Sequence, residues 1–193
     1  RVVMLTGVGN KASDYSKLDV ETVQLISNEL WRIVQRRRAA LQLRKLAQAV
    51  EQSPESIVIT DLDANIEYVN QTFVNATGYS RDEVLGRNPR VLHSGRTAPE
   101  TYAALWTALH QGQPWKGEFI NRRKDGSEYT EFAIITPLRQ ADGRITHYVA
   151  VKEDITEKKR VGAELDRHRH HLEELVEART AQLIEARERA EAA

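Results

Sequence analysis

The chain has no cysteine, which excludes a disulfide, a thiolate metal site and a cysteine nucleophile. It has no excess charge of either sign: 28 Lys and Arg balance 28 Asp and Glu. Nucleic acid or an anionic membrane surface is therefore not expected as the main partner. No apolar run reaches the roughly 18–20 residues that cross a bilayer. Arg1–Asn10 is short and carries no cleavage pattern, so no signal peptide is read there. The GxSxG, HExxH and glycine-rich phosphate-loop patterns are all missing, and no catalytic residue is assigned. The histidines are scattered (His93, His110, His147, His168, His170, His171). The last three fall on a long polar stretch where imidazoles are normally solvated, so no metal site is expected. The first residue is Arg1, not Met, and no folded start is legible. The chain reads as a piece of a longer, cytoplasmic protein.

What is there centres on Gly117–Thr136, GEFINRRKDGSEYTEFAIIT. Phe119, Tyr129, Phe132, Ile134 and Ile135 recur with a period near two. Between them stands Arg122-Arg123-Lys124-Asp125-Gly126. An Asp-Gly pair flanked by strand formers predicts a hairpin, because both central residues of a type I′ turn need positive φ. A second turn is expected at Asp142-Gly143 and a third strand over Ile145–Val151. Three strands with one apolar face need a cover, which the preceding residues must supply. The triple cation at the hairpin tip has no interleaved aromatics, so it reads as a solvated turn and not as a nucleic-acid patch.

Upstream, Arg1–Leu5 reads as a strand and Thr6–Lys17 as a loop. Asp19 is a candidate N-cap for a helix beginning at Val20, with Thr22 as the alternative. Val23, Ile26, Leu30 and Ile33/Val34 form one helical stripe, and Leu43, Leu46 and Val50 a second, ended by Ser53-Pro54. Beyond them come a strand at Ile57–Asp61, a turn, and a strand at Ile66–Asn70. Gln71–Thr77 reads as a short helix capped by Gly78. Ser80 and Glu83 make a capping box opening another short helix that ends at Gly86. Arg87–Thr97 is expected to be irregular. Pro99–Gln111 reads as a helix with Tyr102, Leu105, Trp106 and Leu109 on one side and Gly112 closing it. After Thr156, Val161, Leu165, His168, Leu172, Leu175/Val176, Arg179, Leu183 and Ala190 approximate a 3.5-residue repeat. His168 and Arg179 at inner places make this a weak coil by itself.

Several of these motifs carry a resemblance. Ile59-Thr60-Asp61, Tyr68-Val69-Asn70, ATGYSRDEVLGRN at Ala76–Asn88, the NRRKDG hairpin and Asp154-Ile155-Thr156 together resemble a PAS domain over Ser56–Thr156. The resemblance implies an α+β fold: a five-stranded antiparallel sheet whose inner face and short helices enclose a ligand pocket. The long flanking helices then read as N- and C-terminal coiled coils. Val8–Lys11, Tyr15, Asp19-Val20 and the helix to Arg38 resemble the C-terminal end of GAF domains. VEARTAQLIEARERAEAA resembles the linker preceding the dimerisation helix of sensor histidine kinases. The expected organisation is a GAF remnant over 1–38, a linker helix over 39–55, a PAS sensor over 56–156 and a signalling coil over 157–193, leading to an output domain outside this chain.

The resemblance also bears on the pocket. Gly86–Leu92 resembles the flavin-binding segment of LOV photoreceptors, which place a cysteine where this chain has Pro89. Without that thiol the flavin–cysteine adduct cannot form. Where LOV domains place flavin-contacting Gln or Asn, this chain has His93, Glu131 and Lys152, and the last two are expected to pair as ions. Tyr102, Leu105-Trp106, Trp115 and Asn121–Asp125 resemble redox-sensing PAS domains that hold FAD, of the nitrogen-fixation regulator type. An isoalloxazine ring needs an apolar slot, which Trp106 can wall, and polar groups on its pyrimidine edge, which Asn121 can supply, with Asn88 a second candidate. Arg90, His93, Glu131 and Lys152 complete the candidate set. FAD ranks ahead of FMN. The residues leave open an empty pocket, a small ligand, or haem through His110, and Trp106, Asn121 and Asn88 also serve as plain core, strand-end and turn residues.

The function expected is a non-enzymatic sensor of redox state, oxygen or a small ligand. It acts in a two-component protein, such as a hybrid histidine kinase, as a homodimer through the flanking helices, and passes its signal to a C-terminal kinase domain. Asp154, or alternatively Thr156, is expected to cap the exit helix and relay the signal. Two rivals stand beside this: a cofactor-free PAS domain serving as a dimerisation spacer, and a regulator of a cyclic-dinucleotide enzyme, which differs only in the output domain.

Overall fold

A computed structural model of the chain describes residues 16–191. The expected strand Arg1–Leu5, the loop after it as far as Tyr15 and Val8–Tyr15 of the GAF resemblance lie outside the described residues; Ser16 and Lys17, the end of the expected loop, already belong to the start of a helix. The first unit holds one long helix, α1 (Lys17–Glu51). Its N-cap is Ser16, not Asp19. The Asp19 side chain instead accepts the Ser16 N–H at 2.8 Å, while the Asp19 N–H donates to Ser16 Oγ at 3.3 Å, a reciprocal capping box. Thr22 lies inside the helix, its hydroxyl donating to Leu18 O. No α1 residue is buried.

The second unit holds the sheet. Its elements are β1 (Ser56–Thr60), β2 (Ile66–Val69), α2 (Gln71–Thr77), α3 (Arg81–Val84), α4 (Pro99–His110), β3 (Trp115–Arg122), β4 (Glu128–Arg139), β5 (Ile145–Asp154) and α5 (Thr156–Glu191). The strands are antiparallel in the order β2-β1-β5-β4-β3. This is the five-stranded sheet with short helices on one face that the sequence implied. Within the stretch expected to be irregular, Pro89–Leu92 forms one 3₁₀ turn, capped by the Asn88 side chain, which accepts from the Arg90 N–H at 3.0 Å.

The hairpin departs from the expected turn type. Among the described residues Asp125 has no positive φ; Gly126 alone takes it in this turn, at 90°. The Arg123 N–H donates to Ser127 O at 2.8 Å and the Gly126 N–H to Arg123 O at 3.0 Å. This is a three-residue loop with a left-handed closing glycine, not a two-residue type I′ turn. Asp125 favours it by accepting the Ser127 N–H at 2.9 Å. The β4–β5 turn repeats the pattern, with Gln140 N–H on Arg144 O and Asp142 accepting the Arg144 N–H, both at 2.9 Å.

Two apolar clusters pack on the inner sheet face. One gathers Val58, Ile66, Val69, Phe73, Val84 and Leu92 beneath α2 and α3. The other gathers Leu105, Leu109, Trp115, Phe119, Ala133 and Tyr148 beneath α4. Asn70, fully buried, ties the first together. Its Oδ1 accepts from the Ile57 N–H at 2.9 Å and the Phe73 N–H at 3.1 Å, and its Nδ2 donates to Glu55 O at 2.9 Å. The chain from His93 to Thr97 straps the outer edge of β3. His93 bridges Asn121, the Ser94 hydroxyl donates to Ile120 O, and Thr97 Oγ1 accepts the Ile120 N–H at 2.8 Å.

Candidate functional site

Strand periodicity sends alternate residues inward: Phe119 and Asn121 from β3, Glu131 and Ile135 from β4, Tyr148, Ala150 and Lys152 from β5. Helix α4 lies across them, and the Asn88–His93 segment closes the side. The space left is a cavity of about 280 Å³. All seven residues singled out for cofactor contact line it: Asn88, Arg90, His93, Trp106, Asn121, Glu131 and Lys152. Its walls are aromatic. Tyr102 stacks on Phe119 at 5.6 Å between centroids, and Trp106 meets Tyr148 edge-on at 6.3 Å. Trp115 is buried in the apolar cluster beneath α4, against Phe119, but does not line this cavity; it borders a separate surface groove with Arg96, Ala98 and Gly117.

One corner is polar and nearly closed to solvent. Glu131 and Lys152 lie diagonally on neighbouring strands, since Ala133 is the register partner of Lys152 and Asp154 that of Glu131. Lys152 Nζ meets Glu131 Oε1 at 2.7 Å, with Glu131 3% and Lys152 8% exposed. This is the ion pair expected from the sequence. Asn121, diagonal to Glu131 across β3 and β4, donates its Nδ2–H to the same Oε1 at 2.9 Å. The Tyr129 hydroxyl donates to Oε2 at 3.3 Å. A buried carboxylate is tolerated only with such partners. Burial, and then the adjacent Glu131 charge, raise the Tyr129 phenol far above its usual range, so it stays a donor at all physiological pH.

The mouth is different. Arg90 is exposed, its Nε–H donating to Asn88 Oδ1 at 3.3 Å. Partial burial, with the positive charges of Arg90 and Lys152 nearby, holds His93 below the usual imidazole range and therefore neutral at pH 7. His110 is exposed at the end of α4, outside the cavity lining. The haem reading through His110 therefore has no ligand in the right place.

The exit from the sheet is a second cluster. Asp154 is not an N-cap: Ile155 holds that place, its carbonyl accepting the Lys159 N–H at 2.9 Å. Asp154 Oδ1 accepts the Thr156 N–H at 2.9 Å, while Oδ2 takes an ion pair from Arg123 Nη2. Thr156 is the first helical residue, not the cap. It accepts the Thr130 N–H at 2.8 Å through its hydroxyl, and the Ile155 N–H donates to Thr130 O at 2.9 Å. The tip cations are also not free in solvent. Arg122 meets Glu128 at 3.6 Å, Lys124 meets Glu83 at 2.6 Å, and Arg123 Nε donates to Ala76 O at 2.8 Å. Sequence reasoning missed Tyr129 and Arg123. Only the alternation placing Tyr129 on the face of Glu131 pointed to the first, and nothing local pointed to the second.

Comparison with known proteins agrees with this geometry. The family described as PAS domain matches residues 54–157. A nitrogen fixation regulatory protein of Klebsiella oxytoca is 44% identical over 107 residues, which are 55% of this chain and 22% of that protein. A blue-light-activated histidine kinase of Brucella ovis is 32% identical over 126 residues, covering 60% of this chain and 26% of that one. The chain thus spans about a quarter of the length of these curated relatives. Among solved structures, one titled "Flavin Analogue Sheds Light on Light-Oxygen-Voltage Domain Mechanism" superposes with a TM-score of 0.55 at 30% identity, covering 66% of this chain and 96% of that one.

Proposed function

The chain belongs to the PAS domain family, and on that premise we propose that its cavity takes a flavin, FAD ahead of FMN, as the sensing element of a two-component signalling protein. The observation that carries this is the cavity itself: an aromatic slot between Trp106 and the sheet, ending in the Asn121–Glu131–Lys152 corner. Its donor set fits the group. A flavin ring needs flat apolar walls and a mixed donor and acceptor edge. Trp106, Tyr102 and Phe119 offer the walls, Asn121 both kinds of hydrogen-bonding group, and Arg90 at the mouth a cation for phosphate. Bound flavin would supply redox chemistry, a ring whose edge changes in charge and hydrogen bonding with its electron count. Asn121 and Lys152 read that edge, and His93, neutral, closes the side without adding charge. A flavin analogue is named for the solved light-oxygen-voltage domain and blue light for the Brucella kinase; with no cysteine in this chain, signalling does not run through an adduct.

The function extends through the exit. Asp154 and Thr156 couple the last strand to α5, and the flanking helices dimerise and lead to a kinase in the whole protein. GAF, linker, PAS and coil segments over 1–38, 39–55, 56–156 and 157–193 make up this arrangement. A second reading has an observation of its own. Among the described residues no buried side-chain nitrogen or oxygen lacks a hydrogen-bond partner, so the corner is complete as a cofactor-free spacer would need.

Variants separate the readings. With Asn121→Ala and Trp106→Ala the flavin content of purified protein falls well below the parent, whereas Trp115→Phe retains it. Parent-level flavin in both cavity variants rejects the assignment.

A further inference from the structure

Glu131 and Asp154 face one another in the β4–β5 register, two carboxylates that would repel if left alone. Each has its own cation: Lys152 for Glu131, Arg123 for Asp154. The Tyr129 side chain lies between the two pairs. Its hydroxyl reaches Glu131 Oε2 at 3.3 Å, and its ring lies under the Arg123 guanidinium, 4.4 Å from the centroid. Glu131 is divided: Oε1 takes both cavity donors, Asn121 and Lys152, while Oε2 takes Tyr129. Asp154 is divided too, with Oδ2 on Arg123 and Oδ1 on the first N–H of α5. Side chains thus run in unbroken contact from the cavity to the exit helix.

We propose that Tyr129 and Arg123 are positioning residues that carry the state of the cavity to the start of α5. This rests on the sensor reading above. A ligand that draws Asn121 or Lys152 away from Glu131 changes the demand of that carboxylate on the Tyr129 hydroxyl. The ring then shifts under Arg123. Arg123 is anchored by its Nε–H to Ala76 O, so the movement falls on its pair with Asp154 and on the Thr156 N–H. A cation over a ring face and a charge-assisted hydrogen bond are both steep in geometry. A competing route exists through the backbone, because Thr130, next to Tyr129, bonds Ile155 and Thr156 directly.

The test needs no ligand and uses the whole chain. Amide hydrogen exchange over residues 155–160 is measured in the parent, Glu131→Gln, Arg123→Lys and the double variant. Glu131→Gln stands in for an occupied cavity by weakening the hold on Lys152 and Tyr129. The expected result is about tenfold faster exchange in Glu131→Gln, within the usual range of coupling between sites, and no further gain when Arg123→Lys is already present. Additive effects overturn the proposal and assign the coupling to Thr130. Amides of β1 and α2 serve as the folding control. Should they change in Glu131→Gln, Tyr129→Phe replaces it, since it removes only the hydroxyl; unchanged exchange over 155–160 in Tyr129→Phe also overturns the proposal. Flavin content and stimulus response test the sensor reading separately, so either claim can fail alone.

Discussion

The cavity core and the long exit helix are built on opposite terms. At the closed corner of the cavity even the charged residues, Glu131 and Lys152, are buried, and each is the other's partner. Along α5 the large apolar residues lie open: Leu165 is 68% exposed, Leu172 61% and Leu183 59%. The core is complete within one chain. The helix carries an apolar stripe that its own chain leaves bare. The first kind of region is closed on itself; the second offers a bare apolar stripe of the kind through which parallel helices pair, which suits the signalling role proposed for it.

The largest expected effect breaks the core side of the comparison. Glu131→Ala leaves the Lys152 ammonium buried without its carboxylate and destabilises the sheet unit by about 3–5 kcal/mol, read from denaturant unfolding. Replacing the pair together, Glu131→Leu with Lys152→Met, brings stability back to near the parent, because the desolvation cost of both charges goes with them.

Next comes the cavity wall. Trp106 is half-buried, so Trp106→Ala costs less than the about 3–5 kcal/mol of a fully buried tryptophan, while flavin retention falls sharply. Thermal melting and the visible spectrum of one sample separate the two effects.

On the helix side the order reverses. Leu172→Ser or Leu183→Ser is expected to move core stability by no more than about 0.5 kcal/mol yet to abolish the proposed dimer, with light scattering at micromolar concentration as the readout. A parent protein that stays monomeric as its concentration rises rejects the role given to the exposed stripe. Between core and helix, Asp154→Ala lowers core stability by about 1 kcal/mol and disconnects kinase output from the stimulus in the whole protein; an intact response rejects it as the coupling residue.

The smallest effect is acidic. Lys124 and the Ser80 N–H and hydroxyl hold the Glu83 carboxyl at about 2, well below its ordinary value of 4.5. A depressed carboxyl contributes stability that is present above the ordinary value and is lost as pH falls through the folded one. Melting temperature therefore declines between about pH 4.5 and 2, and Glu83→Gln flattens that part of the curve.

The sheet was legible because its signals are local. The Ser80–Glu83 box, the Gly78 cap and the Asp-Gly turns each lie within a few residues, and the alternation in β3 and β4 sets the inner face. Where two readings shared one local signal, the choice needed the backbone. From the sequence, Asp19 and Thr22 are the candidate caps of α1 and Ser16 falls in the loop; only the reciprocal box with Asp19 identifies Ser16 as the cap. The turn type was missed because Asp-Gly suits two loop lengths, and the Asp125 side chain on the Ser127 N–H selects the longer. The Glu131–Lys152 pair is legible only through the family resemblance, since Lys152 beside Glu153 carries no local sign of burial. Lys152 is buried because Glu131, 21 residues earlier, meets it. The place of Arg123 depends on contacts with Ala76 and Asp154, 47 and 31 residues away, a distance no local pattern spans.

The central claim is that the cavity takes a flavin, and the visible absorption spectrum tests it most directly. Purified protein is mixed with excess FAD, passed through a desalting column and scanned. The account predicts a yellow protein with the structured absorption band of a bound oxidised flavin at close to one per chain, and release of FAD rather than FMN on denaturation. A colourless protein after that treatment, with the sheet unit folded by circular dichroism, contradicts it.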